Sequence, residues 1–215
     1  AYKVRGAYYK ISTMSSDERE KGLITASAGN HAQGVAYAAK LYGVPATIVM
    51  PTTTPLIKVN RTKGYGANVV LHGSVYDEAC QKALELAEKS GATFVHPFND
   101  ETVATGQGTI AMEIFKELPT VDIILVPIGG GGLAAGVSTL AKLLNPNIKV
   151  IGVEPAGASC MKASLDAGKV VTLPNVETIA DGTAVKTPGD KIFPYIQKNI
   201  DEILSLIHIS EPTRH

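Results

Sequence analysis

The sequence predicts an α/β fold built from parallel sheets, and three observations lead to this prediction. Short apolar segments alternate with helical segments along most of the chain, which is the order that βαβ units produce. The apolar segments do not alternate with polar residues, as expected for strands that helices cover on both faces. Two small-residue turns, at residues 27–34 and 129–132, each join an apolar segment to a helix, where ligands bind in such folds.

The length and composition allow two domains with buried cores. The chain has 215 residues, of which 45% are hydrophobic and 19% charged. Its formal net charge is zero, so the composition gives no basis for a nucleic-acid or acidic-membrane partner and favours a small-molecule ligand. Two cysteines do not make a disulfide framework, which predicts a reducing, cytoplasmic location. The most apolar region, 121–137, is interrupted by Pro127 and four glycines and does not predict a membrane span.

The predicted elements follow in regular order. Strands are expected at residues 23–26, 46–50, 68–71, 93–95, 123–127 and 149–153. Helices are expected at 4–12, from Ser15 or Ser16 onwards, and at 32–41, 54–64, 76–89, 105–118, 133–144 and 160–167. A break near Pro97 predicts a smaller domain at residues 1–98 and part of a larger one at 99–203.

The end of the sequence is unlike the rest of it. Residues 204–214 resemble a translated transposon-type sequencing adapter. We therefore predict that residues 204–215 are a non-native tail, and we exclude them from the fold prediction.

The turn at residues 27–34 joins a predicted strand to a predicted helix. Such a turn leaves several backbone N–H groups unpaired, and these attract anions. Its side chains include the hydroxyl of Ser27, the amide of Asn30 and the imidazole of His31, which suit a small carboxylate. The alternative is an ordinary corner with Ser27 as the helix N-cap. This stretch alone does not decide between the two interpretations.

A run of four glycines follows the strand at 123–127. Consecutive glycines are costly in conformational entropy, and packing gives no evident reason for four of them. Phosphate binding would explain them, because backbone N–H groups can close around a phosphate only where no Cβ intervenes. The predicted phosphate loop consists of Gly129, Gly130, Gly131 and Gly132, followed by Leu133.

A dinucleotide-binding loop is the alternative interpretation of this run. Gly129, Gly131 and Ala134 fit the loose dinucleotide pattern, and Glu154 ends the next strand as a ribose-binding acid would. This alternative predicts a nicotinamide-binding oxidoreductase domain. It requires no fourth glycine, and it accounts neither for the turn at 27–34 nor for Lys3.

Three elements together carry a family resemblance: Lys3 within residues 2–7, the turn at 27–34 and the glycine loop at 129–133. This set resembles the pyridoxal-phosphate enzymes of the tryptophan-synthase-β type, and it is most similar to the threonine ammonia-lyases. The resemblance runs from Ala1 to about Ile203. It implies two three-layer parallel-sheet domains, the second of them incomplete.

The resemblance also implies a role for each site residue. Lys3 matches the catalytic lysine that forms the Schiff base with pyridoxal 5'-phosphate, and Asn30 matches the amide that contacts the cofactor's ring hydroxyl. The backbone of residues 129–133 matches the phosphate cradle. The substrate carboxylate loop corresponds to Ser27, Gly29, Asn30 and His31.

The implied reaction is β-elimination from L-threonine to 2-oxobutanoate and ammonia, and from L-serine to pyruvate. Serine racemase and hydroxyaspartate ammonia-lyase are the alternatives within the family. Ala28 stands where the racemases carry a proton-donating serine, which favours elimination. Cys160 stands where they carry a metal-binding acid, so no metal is expected.

The family's ligand to the pyridine nitrogen, and its last strands, lie beyond Ile203 by this resemblance. We therefore expect this chain to be an inactive fragment. The parent protein is expected to be a homo-oligomer, a dimer or a tetramer.

Overall fold

A computed structural model describes residues 1–207 of the chain. The chain forms two compact units, unit 1 at Ala1–Gln107 and unit 2 from Gly108 onwards. The division falls inside the helix Glu101–Glu117, whereas the sequence analysis places it ahead of this helix. The first part of the helix belongs with unit 1 because Val103 is fully buried in the core of that unit. The functional role predicted for each domain stays a prediction.

Unit 1 is a parallel sheet with helices on both faces. Its helices are α1 (Lys3–Thr13), α2 (Ser16–Lys21), α3 (Asn30–Tyr42), α4 (Leu56–Gly64), α5 (Tyr76–Ser90) and the first part of α6 (Glu101–Glu117). Its strands are β1 (Leu23–Ala26), β2 (Ala46–Met50), β3 (Asn68–Leu71) and β4 (Thr93–Phe94), in the sheet order β3-β2-β1-β4. All pairs are parallel, with Leu23 beside Ala46 and Thr93.

The two faces of this sheet have separate cores. Leu23 and Ile48 pack with residues of α1, α3 and α4. Ile24 and Val49 pack with the small side chains of α5 on the other face. Neighbouring residues of one strand therefore enter opposite cores, which gives the three-layer arrangement predicted for this part of the chain.

Unit 2 contains the rest of α6 and a three-stranded parallel sheet in the order β5-β6-β7. The strands are β5 (Ile123–Pro127), β6 (Lys149–Pro155) and β7 (Glu202–Leu206), and the helices are α7 (Gly132–Leu144), α8 (Cys160–Ala167) and α9 (Phe193–Asn199). On β5, Ile124 and Val126 are buried, whereas Ile123 and Leu125 are exposed. The expectation that helices cover both faces of every strand is therefore wrong for β5 in the described part of the chain.

The strand β7 was not predicted from the sequence, and neither was α9. The β7 strand pairs along its length with β6, with Glu154 beside Ser205 and Pro155 beside Leu206. The predicted start of the tail, after Ile203, thus falls inside β7. The remainder of the predicted tail, residues 208–215, lies outside the described residues.

None of the helices within residues 1–207 has both the length and the apolar character that crossing a membrane requires.

Candidate active site

The turn after β1 presents the start of α3. Gly29 is the N-cap residue, and among the described residues no side chain caps this end of the helix. Ser27 is not the cap: its Oγ accepts a hydrogen bond from the N–H of Gly29 at 3.2 Å. The N-cap alternative for Ser27 is therefore wrong. The first-turn N–H groups of α3 begin at Asn30, an exposed residue, and form the kind of helix end that binds anions.

His31, the next residue of α3, is buried with 3% of its surface exposed. Its Nε2 lies 2.9 Å from the carbonyl oxygen of Val95, which also accepts a hydrogen bond from the Thr25 hydroxyl at 2.7 Å. A carbonyl oxygen only accepts, so Nε2 carries the proton. Nδ1 then presents a lone pair, and it has no hydrogen-bond partner among the residues described.

Burial, and after it the positive charge of Lys3, lowers the pKa of His31 to about 3. The imidazole is therefore neutral throughout the physiological range. It ties the first turn of α3 to the end of β4 and adds no charge to the helix end.

Lys3 is the first residue of α1, and its Nζ donates a hydrogen bond to the carbonyl oxygen of Pro97 at 2.6 Å. The same Nζ lies 5.3 Å from the centre of the Tyr2 ring. Burial of the ammonium group lowers the pKa of Lys3 to about 8. An amine with this pKa is available as a nucleophile or base near neutral pH, which a solvent-exposed lysine is not.

A close contact between α1 and α3 brings Lys3 to the start of α3. A Cβ at Gly34 would lie 3.1 Å from the carbonyl carbon of Lys3 and 3.0 Å from the nitrogen of Val4. Only a glycine allows the two backbones to approach this closely. Unit 1 therefore holds five of the predicted site residues, which are Lys3, Ser27, Gly29, Asn30 and His31.

The glycine loop lies in unit 2, between β5 and α7. Gly131 is the N-cap of α7 with φ of 101°, a conformation that favours glycine. As at α3, no side chain within residues 1–207 caps this helix end. The first-turn N–H groups, which include that of Leu133, are thus arranged as a phosphate-binding helix end requires.

Packing gives a reason for two of the four glycines, Gly129 and Gly131. A Cβ at Gly129 would lie 3.0 Å from Cα of Thr183. A Cβ at Gly131 would collide with Cδ1 of Ile192 and lie 2.8 Å from Cε of Met161. These contacts at positions 129 and 131 could not be predicted, because the sequence alone does not show which distant segments lie against the loop.

Glu154, the ribose-binding acid of the dinucleotide alternative, caps the start of α8. Its Oε1 accepts a hydrogen bond from Lys162 N at 3.0 Å, and its Oε2 accepts one from Met161 N at 3.3 Å. It is 1% exposed, and burial raises the pKa of its carboxyl group. A carboxylate buried in this way is not available to a ribose. Glu154 therefore cannot be the ribose-binding acid that the dinucleotide alternative requires.

Cys160 is buried beside the glycine loop. Its Sγ donates a weak hydrogen bond to the carbonyl oxygen of Gly129 at 3.9 Å. Burial, and then the charge of Glu154, raises the pKa of the thiol to about 12. The part of the chain that the structure describes contains no group of three His, Cys, Asp or Glu side chains able to hold a metal ion.

Several contacts at the candidate site were missed by the sequence analysis. The carbonyl oxygens of Val95 and Pro97 hold His31 and Lys3, and no sequence pattern identifies backbone acceptors. Gln107 has no predicted role in the sequence analysis, although it is buried and contacts α1. Its position directly between Gly106 and Gly108 is the signal that could have drawn attention to it.

Comparisons with known proteins agree with these features. A family model described as "Pyridoxal-phosphate dependent enzyme" matches residues 1–208. L-threonine ammonia-lyase from Thermotoga maritima is 51% identical over 206 residues, which cover 96% of this chain and 51% of that protein. The L-threonine dehydratase biosynthetic IlvA of Escherichia coli is 48% identical over 206 residues, which cover 96% of this chain and 40% of that protein. The chain thus spans about half the length of the curated relatives it matches.

Solved structures give the same result for the fold. The processed form of threonine deaminase isoform 2 from Solanum lycopersicum matches with a TM-score of 0.94 and 49% identity, over 96% of this chain and 60% of that one. Maize serine racemase matches with a TM-score of 0.93 and 39% identity, over 96% of this chain and 63% of that one. The predicted fold class is confirmed, and the shares covered agree with an incomplete second domain.

Proposed function

Because the chain belongs to the pyridoxal-phosphate dependent enzyme family, we propose that its complete protein is a threonine ammonia-lyase. The reaction is the elimination of water from L-threonine, followed by hydrolysis of the released imine to 2-oxobutanoate and ammonia, and L-serine gives pyruvate and ammonia in the same way. The observation that carries the proposal is the buried amine of Lys3, held at the uncapped start of α3. The names of the similar proteins from Thermotoga maritima and Escherichia coli support the choice of threonine.

Lys3 is the proposed attachment point of the cofactor and the base that removes the substrate's Cα proton. Pyridoxal phosphate, when bound, supplies the electron sink that stabilises negative charge at Cα. At pH 7.5, about a quarter of an amine with a pKa of about 8 is unprotonated, against about one part in a thousand for a pKa of 10.5. Burial of Lys3 thus supplies the free amine that both roles require.

The start of α3 is the proposed substrate carboxylate site. The N–H groups of Asn30 and His31 and the hydroxyl of Ser27, which is held by the N–H of Gly29, would bind the carboxylate and so orient the Cα–H bond toward Lys3. The side-chain amide of Asn30, which is exposed, would contact the ring hydroxyl of the cofactor. The neutral imidazole of His31 keeps the first turn in place through Val95.

The glycine loop is the proposed site of the cofactor's phosphate. The backbone N–H groups of residues 129–132 and of Leu133 are the proposed donors. The start of α7 adds the favourable field of a helix N-terminus.

Serine racemase is the second candidate function, and the match to the maize enzyme favours it. Racemisation requires a second group that returns a proton to the opposite face of Cα. Ala28 carries a methyl group at the position where the resemblance implies a serine in racemases, and a methyl group cannot deliver a proton. We therefore propose that elimination dominates.

The test uses the complete reading frame that contains this chain, purified with pyridoxal phosphate. We expect 2-oxobutanoate from L-threonine, pyruvate from L-serine, and little D-serine by chiral chromatography. Ala28→Ser should raise the share of D-serine, and Ala92→Ser, at a half-buried alanine in the turn before β4, is the matched control. D-serine as the main product of the wild type would favour the racemase, and the absence of both keto acids would overturn the proposal.

We further propose that the complete protein is a homo-oligomer, a dimer or a tetramer, and acts in the cytoplasm. The exposed apolar residues Ile123 and Leu125 on β5, and the free thiols of Cys80 and Cys160, are consistent with these two proposals. Light scattering coupled to gel filtration measures the mass in solution, and a monomer at micromolar concentration would contradict the first of them.

A further inference from the structure

Gln107 of α6 contacts the helix that carries Lys3, and we propose that Gln107 is the positioning residue for this lysine. The proposal rests on the role proposed for Lys3 above. The Gln107 side chain is 2% exposed, and its Oε1 accepts a hydrogen bond from the backbone N–H of Gly6 at 3.2 Å. The two residues are 101 positions apart in the sequence, so the contact ties the first turn of α1 to a distant helix.

The first turn of α1 is hydrogen-bonded to a group outside the helix. The carbonyl oxygen of Tyr2, the residue before α1, accepts its hydrogen bond from Arg5 N at 3.0 Å, and the next N–H, that of Gly6, donates to Gln107. Tyr2 is the N-cap, and in the described part of the chain no side chain caps this end of α1. The N–H of Gly6 is buried, and a buried donor without an acceptor is unfavourable. Gln107 provides that acceptor.

Close contacts fix α1 against α6 at this point. A Cβ at Gly6 would collide with Nε2 of Gln107 and lie 2.5 Å from the carbonyl oxygen of Val103. A Cβ at Gly106 would lie 2.7 Å from both the Arg5 carbonyl oxygen and Cα of Gly6. Gly34 of α3 also lies against the backbone of Lys3, so α3 and α6 both contact the backbone of residues 3–6. The amide of Gln107 makes the polar contact between α6 and this turn.

The position of this turn determines the burial of Lys3. The Nζ of Lys3 reaches the Pro97 carbonyl oxygen, and burial in this position lowers the pKa of the amine to about 8. Loosening the first turn would return the amine toward water and raise its pKa toward 10.5. The far end of α1 is held separately by the ion pair of Lys10 with Asp100 at 2.9 Å. Loss of the Gln107 contact should therefore loosen the turn and leave the helix folded.

The test measures the pKa of Lys3 in the 215-residue chain without cofactor, by competitive labelling with acetic anhydride across pH 6–11 and peptide mass spectrometry. Gln107→Met removes the acceptor and keeps the side-chain length. Gln81→Met is the same change at an exposed position of α5, and Ile24→Val destabilises the core of unit 1 on the α5 face of the sheet, away from α1. The other titratable groups near Lys3 and His31 are Tyr2, His96 and Asp100, and all the variants retain them.

In Gln107→Met we expect the pKa of Lys3 to rise by about one unit, toward that of a solvated lysine. In both controls it should stay near 8. An unchanged pKa in Gln107→Met, or an equal rise in Ile24→Val, would overturn the proposal.

Hydrogen exchange of the Gly6 amide is the second measurement. The amide should be protected in the wild type and in Gln107→Glu, which retains an acceptor oxygen, and it should exchange faster in Gln107→Met. If Gln107→Met does not fold, the exchange rate of the Gly6 amide in the wild type decides. An unprotected amide there would contradict the hydrogen bond to Gln107 and overturn the proposal. Neither measurement needs the cofactor. If the chain passes both and the complete protein takes no pyridoxal phosphate, the proposed function alone is refuted. If the complete protein binds it at Lys3 and the chain fails both, this inference alone is refuted.

Discussion

Burial determines the charge of the two basic residues at the candidate site of unit 1. Lys3 and His31 both lose hydration in the folded chain, and the pKa of each is lowered, to about 8 and about 3. At neutral pH, the first turn of α3 therefore carries an uncharged imidazole, and the lysine amine beside it is partly unprotonated. This combination suits a site where a lysine alternates between nucleophile and base.

At the residue scale, we predict that His31 makes the fold sensitive to acid. The pKa of His31 is depressed in the folded chain, so below pH 6.5 the unfolded chain binds a proton that the folded chain does not. The stabilisation is complete above pH 6.5 and is lost as the pH falls toward 3. Between pH 7 and pH 5, His31 should lower the free energy of unfolding by up to about 2 kcal/mol.

The comparison variant is His31→Gln, whose amide can donate to Val95 but does not titrate. Urea unfolding at pH 7 and pH 5 should give a smaller difference for this variant than for the wild type. Equal differences in the two proteins would show that His31 is not the group responsible.

The sequence can reveal the side chains of the candidate site but not the backbone atoms that hold them. Lys3, Asn30 and His31 were identifiable because their side chains belong to motifs. The carbonyl oxygens of Val95 and Pro97 were not, since a backbone acceptor can belong to any residue type.

At the scale of elements, a helix cap formed by neighbouring residues in the sequence is predictable, whereas a cap that comes from another strand is not. The sequence places the start of α2 at Ser15 or Ser16, and Ser15 forms a capping box with Glu18. The start of α6 was predicted four residues late, at 105 and not Glu101, although Asp100 accepts a hydrogen bond from Val103 N at 3.0 Å. The start of α8 is capped by Glu154 from β6, a contact that no helical pattern contains.

At this scale, we predict that Glu154 stabilises the start of α8 and, through it, the packing of the glycine loop. Glu154→Ala leaves the buried N–H of Met161 and the part-buried N–H of Lys162 without their acceptor, which should lower the free energy of unfolding by about 2–3 kcal/mol. The thiol of Cys160 should also react faster with a disulfide reagent. Urea unfolding and thiol titration measure the two effects.

Glu85→Ala is the control, because Glu85 is exposed on α5 and contacts Lys82 at 3.4 Å. Its effect should stay within about 0.5 kcal/mol. A Glu154→Ala variant as stable as this control would mean that the cap contributes nothing.

At the scale of the whole chain, family membership confirms pyridoxal phosphate as the predicted cofactor. The alternation of elements was sufficient to predict two parallel sheets, and the bounds of β1, β2, β3 and β5 are as predicted. It could not predict β7, because residues 204–206 of that strand lie in the segment excluded as a tail. Nor could it show the exposed face of β5, because a run of apolar residues looks the same whether one face or both are covered.

We predict that this face of β5 binds hydrophobic dyes in the isolated chain. Ile123 and Leu125 are 50% and 60% exposed and lie on the same face of the strand. Replacing both with Thr should lower the fluorescence of bound anilinonaphthalene sulfonate and reduce self-association. Ile179→Thr is the control, since Ile179 is 83% exposed outside any helix or strand. An equal loss of dye binding in the control would argue against β5 as the binding surface.

The central claim is that Lys3 carries the cofactor, and covalent mapping tests it most directly. The complete protein is incubated with pyridoxal phosphate, reduced with borohydride and digested, and the modified lysine is identified by mass spectrometry. We predict the phosphopyridoxyl mass on Lys3, its absence in Lys3→Ala, and its presence on Lys3 in Lys40→Ala, which changes an exposed lysine of α3. Modification of a different lysine, together with undiminished 2-oxobutanoate formation by Lys3→Ala, would contradict the claim.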